Sequence, residues 1–533
     1  MPKAPRRRVL SAKNQPLQRK ELEKKLDSET GDARTPDIIQ DVNNRDHVNH
    51  GYHTINDAGN IADAEDVNCA DDMEGIDDMR NAAQAESGLG NFLKFCHASN
   101  ISLHEKVLCT NRGVSANYGM VAIGDIKTGE TLFIIPRTAV LSPENCGIAK
   151  FLASNAESLS SNSGWLPLIL AILYEKFDPE SKWRAYLDTF PNFTNMDLPM
   201  FWPLSELESE LKCTGLASSV ATDIHNMRKE YDSTLLPLIT EHPELFKDPR
   251  YRDFDVIKQV CAFIMAYSFT DDVSRQVLSD SDESDDEEEM QPPATLMVPL
   301  ADLLNHVPDH NAELNIGEST LRMIAVKDIK KGEEVYNTYG KVSNYTLLLM
   351  YGFAVLPQTN PYNTLELKLS TIDTACIQTD YPNWELRSEY LKKLSAADAQ
   401  DSFSQSICLH SSGLSDTAQI LKVLRMDKEE LQARLSALKP KGVSDDRDGD
   451  DWLSDDEEEE EITSDDLCEF DEATKAMLRR VADLILAEFP PSLPTALQGS
   501  GVSSISLSNR QVFSMYVRDS QTSLLIKLKQ WLV

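Results

Sequence analysis

The chain has 533 residues and sets 52 Lys and Arg against 87 Asp and Glu, a formal charge of -35 that repels nucleic acid over any broad surface. Its length leaves room for two or three domains with sizeable cores. Two runs carry most of the net negative charge: residues 445–466 hold fourteen acids and one Arg, residues 280–289 hold eight acids, and together they supply -21 of the -35.

The head of the chain is the opposite, with nine Lys or Arg and two Glu in residues 1–25. Its "PRRR", Pro5–Arg8, reads either as a nuclear address or as a solvated tail. Residues 1–87 are polar and poor in aromatics, which predicts a disordered tail, since too little apolar area is available to offset chain entropy. From Asn91 the character changes. "NFLKFCHASN" reads as a short helix, and "GMVAIGDIKTGETLFIIPR", Gly119–Arg137, alternates around a Gly turn in the manner of a β-hairpin.

The frame A-x-x-D-I-K-x-G-E occurs at Ala122 and again at Ala325, with Gly129 and Gly332 at a turn position that suits positive φ. Two copies so far apart read as two hairpins of one β-rich domain interrupted by an insert. That insert, residues 144–270, is predicted helical from "WLPLILAILYEKF", "LLPLITEHPELF" and "FDVIKQVCAFIMAYSF", and residues 277–292 follow as a solvated acidic loop. Residues 358–533 read as mostly helical, with a second acidic loop at 443–466. The expected architecture is α+β: a β-rich domain over 88–357 split by a helical insert, then an all-α domain over 358–533.

Nine cysteines are scattered without a C-x-x-C pair, and no secretory leader pattern opens the sequence, so reduced thiols and no zinc cluster are expected. The longest apolar run, Trp165–Tyr174, is about half a membrane span, and a soluble protein is expected. G-x-S-x-G, H-E-x-x-H and G-x-x-x-x-G-K-[ST] are all missing, which leaves hydrolysis and phosphate chemistry without support. What stands out is "ADLLNH", ending in Asn305-His306, and two Tyr-Gly pairs, Tyr339-Gly340 and Tyr351-Gly352, around "YTLLLMY", with Asn344 as its expected cap. Taken singly, Asn-His also reads as a capped strand end, and each Tyr as a core aromatic with one hydrogen bond.

Together, "VPLADLLNHVPDHNAEL", "GEEVYNTYG" and "MYGF", preceded by "ANYGMVA" and "MAYSF", resemble the SET-domain protein-lysine methyltransferases with a split SET domain. The sequence is most similar to the subgroup holding animal nuclear and fungal ribosomal-protein lysine methyltransferases, relatives of the plant Rubisco methyltransferase. "GWLPLILAIL", "SKWRAYL" and "PMFWP" in the insert belong to the resemblance, which covers about Asn91–Leu365, and the C-terminal helices match the family's substrate-binding domain in position.

The resemblance implies S-adenosylmethionine as cofactor, with Ala116, Asn117, Tyr118, Gly119, Tyr267, Asn305, His306 and Tyr351 binding it. It implies Tyr351 at the methyl-transfer channel, Tyr339 as a second catalytic tyrosine, and Trp165, Ser268, Thr270 and Leu349 on the lysine side. No metal is implied. The chemistry agrees, because displacement at a sulfonium carbon by a neutral amine needs alignment more than acid-base apparatus. A narrow aromatic channel favours the uncharged lysine by desolvation. The expected partner is a basic ribosomal or nuclear protein, without direct nucleic-acid or membrane binding; the expected product is monomethyl-lysine, and the expected location is the nucleus, with cytoplasm as the other candidate. A catalytically silent peptide-binding scaffold and methylation of histidine are the alternatives.

Overall fold

The computed structural model describes residues 87–161, 163–189, 196–271, 294–397, 406–416, 420–437, 460–490 and 507–533. The tail expected over 1–87 and the acidic loop expected over 277–292 lie outside these residues, save for Ser87 itself, which starts a helix. The described residues form two units: one of 87–363 with 507–520, the other of 364–490 with 521–533.

In the first unit a helix, Ser87–Ala98, precedes β1 (Ser102–Leu103), β2 (Val107–Thr110), β3 (Gly119–Ala122) and β4 (Thr131–Pro136). The helical insert then runs from Ala149 to Tyr267. It returns to strands at β5 (Ser268–Asp271), β6 (Ala294–Met297), β7 (Ala312–Ile316), β8 (Thr320–Ala325) and β9 (Glu334–Val335), and closes with the helix Asn344–Tyr351. The strands assemble as β1-β4-β8-β7, β2-β3-β9 and β5-β6.

This topology corrects both hairpin expectations. The strands on either side of Gly129, β3 and β4, enter different sheets, and so do β8 and β9 on either side of Gly332. The turns are as expected, with φ of 90° at Gly129 and 91° at Gly332. What the local pattern concealed is that the two copies pair with each other, through the Ile126–Ile329 bridge, instead of each folding on itself.

One helix of the insert is buried on nearly every face. The helix Leu166–Phe177 alone buries Leu166, Leu168, Ile169, Leu170, Ala171, Ile172 and Leu173, which accounts for the long apolar run without a membrane; no described helix is long and apolar enough to cross one. Phe92 and Phe95 of the first helix pack on Trp183 and Tyr186, with ring centres 5.6 to 6.3 Å apart. Such contacts bring the "SKWRAYL" segment of the insert against the head of the domain.

The second unit corrects the all-α expectation while leaving the α+β class intact. β10 (Thr364–Lys368), β11 (Ser406–His410), β12 (Gly413–Asp416) and β13 (Glu460–Thr463) form an antiparallel sheet in that order. β10 and β11 alternate in burial, with Leu365, Leu367, Ile407 and Leu409 inside, but at five residues each they are short against the helical stretches around them. The end of the second acidic run is likewise a strand and not a loop, because Ile462 anchors Glu460–Thr463 to β12; residues 443–459 lie outside the described set.

Candidate active site

Asn305 is the meeting point of three distant segments. Its side-chain amide donates to Ala116 O at 3.2 Å, Tyr118 O at 3.3 Å and Glu334 Oε1 at 2.7 Å. The other Glu334 oxygen accepts Ser115 N–H and Ser115 Oγ, both at 2.8 Å, and Ser115 Oγ shares a bond of 2.8 Å with the Tyr336 hydroxyl. Glu334 is 9% exposed, so this carboxylate and the Asn305 amide fix the Ser115–Gly119 loop from beneath.

His306 turns the other way. Its Nδ1 accepts Tyr339 N–H at 3.1 Å, so the neutral ring carries its proton on Nε2. Burial, with His310 nearby, holds its pKa down to about 4, which keeps the ring uncharged at neutral pH. The ring stacks on Tyr339 at 5.0 Å, Tyr339 stacks on Tyr351 at 4.6 Å, and Phe353 lies 6.4 to 6.5 Å from all three. The backbone continues this pairing, since Asn337 N–H donates to Asn305 O at 2.9 Å and His306 bridges Asn337.

The two tyrosines differ in one respect. Tyr339 donates its hydroxyl to Leu304 O at 3.0 Å, whereas none of the described residues hydrogen-bonds the Tyr351 hydroxyl. Burial pushes both phenols up, Tyr351 to about 12, so each remains a neutral hydroxyl at physiological pH. Tyr267, at the end of the helix Phe254–Tyr267, lies within electrostatic reach of Tyr339 and of Tyr186.

The helix bearing Tyr351 is capped by Ser343, whose side chain accepts Thr346 N–H; this corrects the expectation for Asn344. Asn344 is fully buried instead, donating to Val355 O at 2.8 Å and Ser520 Oγ at 3.0 Å, while its Oδ1 accepts Val355 N–H at 3.2 Å. The expected lysine-side residues are placed as follows. Trp165 precedes the helix Leu166–Phe177, Ser268 and Thr270 lie on β5 with Thr270 exposed, and Leu349 is 3% exposed within the core. None of the four shares a side-chain hydrogen bond or ring contact with Asn305, His306, Tyr339 or Tyr351.

Sequence reading missed Glu334 and Asn337, although both stand in the quoted "GEEVYNTYG", and it missed the buried pair in which Tyr186 donates to Asp302 Oδ2 at 2.5 Å. Burial pushes the Asp302 carboxyl well above the usual carboxylate range. The signal for Glu334 was an acid placed where a strand is otherwise apolar, which is costly unless paired.

A model of the SET domain matches residues 117–340. The N-lysine methyltransferase SETD6 of Bos taurus is 33% identical over 456 residues, covering 84% of this chain and 93% of that protein. The setd6 protein of Salmo salar is 40% identical over 308 residues, covering 58% of this chain and 66% of its own length. Among solved structures, the SET domain of LSMT bound to lysine and AdoHcy superposes with a TM-score of 0.55 at 17% identity, over 84% of this chain and 91% of that one. Rubisco LSMT bound to AdoMet gives 0.54 at 18%, over 84% and 92%.

Fold and site thus define a SET-domain protein. The chain belongs to the protein-lysine N-methyltransferase family that includes SETD6, whose cofactor is S-adenosylmethionine. The site fits such a ligand: His306 Nε2 and Asn337 Nδ2 are buried, and neither has a hydrogen-bond partner among the described residues. Both are donors, and an acceptor-bearing molecule would satisfy them.

Proposed function

We propose that this chain methylates a lysine ε-amino group on a basic ribosomal or nuclear protein and adds one methyl group. When bound, S-adenosylmethionine supplies that methyl group on its sulfonium. In this reading Ala116, Asn117, Tyr118, Gly119, Tyr267, Asn305, His306 and Tyr351 hold the cofactor, and Trp165, Ser268, Thr270 and Leu349 face the lysine side.

The observation that carries the reading is the uncommitted Tyr351 hydroxyl, set on a stack in which the Tyr339 hydroxyl and His306 Nδ1 are already bound to the backbone. A lysine ammonium, with an ordinary pKa of about 10.4, must lose its proton before it can attack. Neutral aromatic walls favour that loss, and a neutral phenol orients the resulting amine by accepting or donating one hydrogen bond. The phenols are held above their ordinary range and His306 below its own, so none of the three adds a charge that would compete with this arrangement.

The formal charge of -35 supports a basic acceptor, because opposite net charge speeds encounter. The basic head around Pro5–Arg8 supports a nuclear location, and removing residues 1–25 should redistribute the protein to the cytoplasm. The decisive assay is transfer of labelled methyl from S-adenosylmethionine into the basic proteins of a cell extract. A band containing monomethyl-lysine that disappears with Asn305→Ala supports the proposal. Label recovered on histidine, or no label from a protein that still binds the cofactor, overturns it.

A further inference from the structure

The helix carrying Tyr351 ends at Gly352, which adopts φ 78° and closes the last turn by donating its N–H to Leu348 O. A Cβ placed on Gly352 would lie 3.0 Å from the carbonyl oxygen of Asp197 and 3.5 Å from Leu198 N. The Asp197–Leu198 peptide is therefore the floor on which the Tyr351 terminus rests. That same carbonyl oxygen accepts the indole N–H of Trp202 at 3.2 Å.

Arg510, more than three hundred residues further along, reaches both parts of this floor. Its Nε and Nη2 lie 2.8 and 2.6 Å from Asp197 Oδ1, its Nη1 lies 2.5 Å from Glu206 Oε2, and its guanidinium sits 5.2 Å from the centre of the Trp202 ring. One planar fork thus fixes the Asp197 carboxylate, the ring that grips the Asp197 carbonyl, and the helix Leu204–Glu210 behind it. The same C-terminal helix holds the other end of the Tyr351 helix, since Asn344 Nδ2 donates to Ser520 Oγ.

We propose that Arg510 is a positioning residue for Tyr351, acting through Asp197 and Trp202. The role rests on the reading of Tyr351 given above. The last turn of a helix has unpaired carbonyls and frays first, so the direction of the Tyr351 ring depends on what its terminus rests on. Methyl transfer is sensitive to alignment at the level of an ångström. Lysine at position 510 keeps the charge but loses the fork and the stacking, and restores the floor only in part.

The test uses the full chain with 3-fluorotyrosine at position 351, in wild type, Arg510→Ala and Arg510→Lys. Fluorine spectra report the ring, and labelled S-adenosylmethionine with the basic protein fraction of a cell extract reports the reaction. In Arg510→Ala the fluorine resonance should shift and broaden, and the rate at saturating S-adenosylmethionine should fall about tenfold, while KM and Kd for S-adenosylmethionine stay within about twofold. Arg510→Lys should recover part of both. An unmoved resonance with a full rate overturns the proposal, and so does a lost rate accompanied by an equal loss of cofactor binding and thermal stability. Wild-type methylation by Tyr351→Phe would overturn the reading of Tyr351 instead, and the fluorine shift in Arg510→Ala would still report the coupling to its ring.

Discussion

Ile126 and Ile329 exchange both of their backbone hydrogen bonds, N–H to O at 2.8 Å in one direction and 2.9 Å in the other. Around them the backbone bonds fall into matched pairs. Gly129 N–H donates to Ala325 O at 2.8 Å and Gly332 N–H to Ala122 O at 2.7 Å; Ala122 N–H donates to Glu333 O at 2.9 Å and Ala325 N–H to Glu130 O at 3.0 Å. Even the side chains correspond, because Asp125 accepts Lys331 N–H and Asp328 accepts Thr128 N–H, each at 3.0 Å. The repeated sequence frame is thus a two-fold clamp that closes the domain across its helical insert.

The clamp makes its two glycines equivalent. A Cβ at Gly129 or Gly332 would meet nothing within 4 Å, so substitution costs only the left-handed backbone. Gly129→Ala and Gly332→Ala should each destabilise by about 1–2 kcal/mol, and by the same amount within error. Denaturant midpoints measure this, and a cost at one site alone would break the equivalence.

Asn305→Asp should be more damaging than its size suggests. It sets a carboxylate where an amide donates to Glu334 Oε1 at 2.7 Å, removing three donated bonds and adding a like charge. S-adenosylmethionine binding should weaken by roughly 10- to 100-fold at pH 8 and recover partly towards pH 5, as one carboxyl of the pair takes up a proton. Calorimetric titration at the two pH values checks the direction; equal affinities would refute it.

His306 sets a pH dependence of stability. Its pKa is near 4 folded against 6.5 for the ordinary side chain, so between those values the unfolded chain binds more protons. The stabilisation is complete above pH 6.5 and falls away as pH drops towards 4, by about 3 kcal/mol in all at 1.36 kcal/mol per unit. Asp302, with its carboxyl pushed upward, works in the opposite sense. The comparison is therefore between wild type and His306→Gln, and the difference in urea unfolding free energy should shrink from pH 7 to pH 4.5.

The two tyrosines should separate stability from rate. Tyr339→Phe removes the bond to Leu304 O and should cost about 1 kcal/mol of stability, as well as slowing the reaction. Tyr351→Phe removes a hydroxyl that no described residue binds, so the melting temperature should hold within about 2 °C while methyl transfer falls at least tenfold. Thermal unfolding alongside the labelled-methyl assay distinguishes them, and equal melting losses would contradict the assignment.

The sequence alone determined what depends on local pattern and residue chemistry: the helical insert, the turns at Gly129 and Gly332, and Asn-His and the Tyr-Gly pairs as the residues to watch. Periodicity and turn propensity act over a few residues, and each of these features is written within such a window. Only the tertiary structure decided which strands pair, since β3 and β4 flank a turn that locally suits a hairpin yet also take partners about two hundred residues away. It made Asn344 a buried bridge instead of a cap, and it gave Glu334 to Asn305 and Arg510 to Asp197. The identity of each partner leaves no local trace, because closing a long loop costs little more than closing a short one, and burial of the whole core selects the pairing.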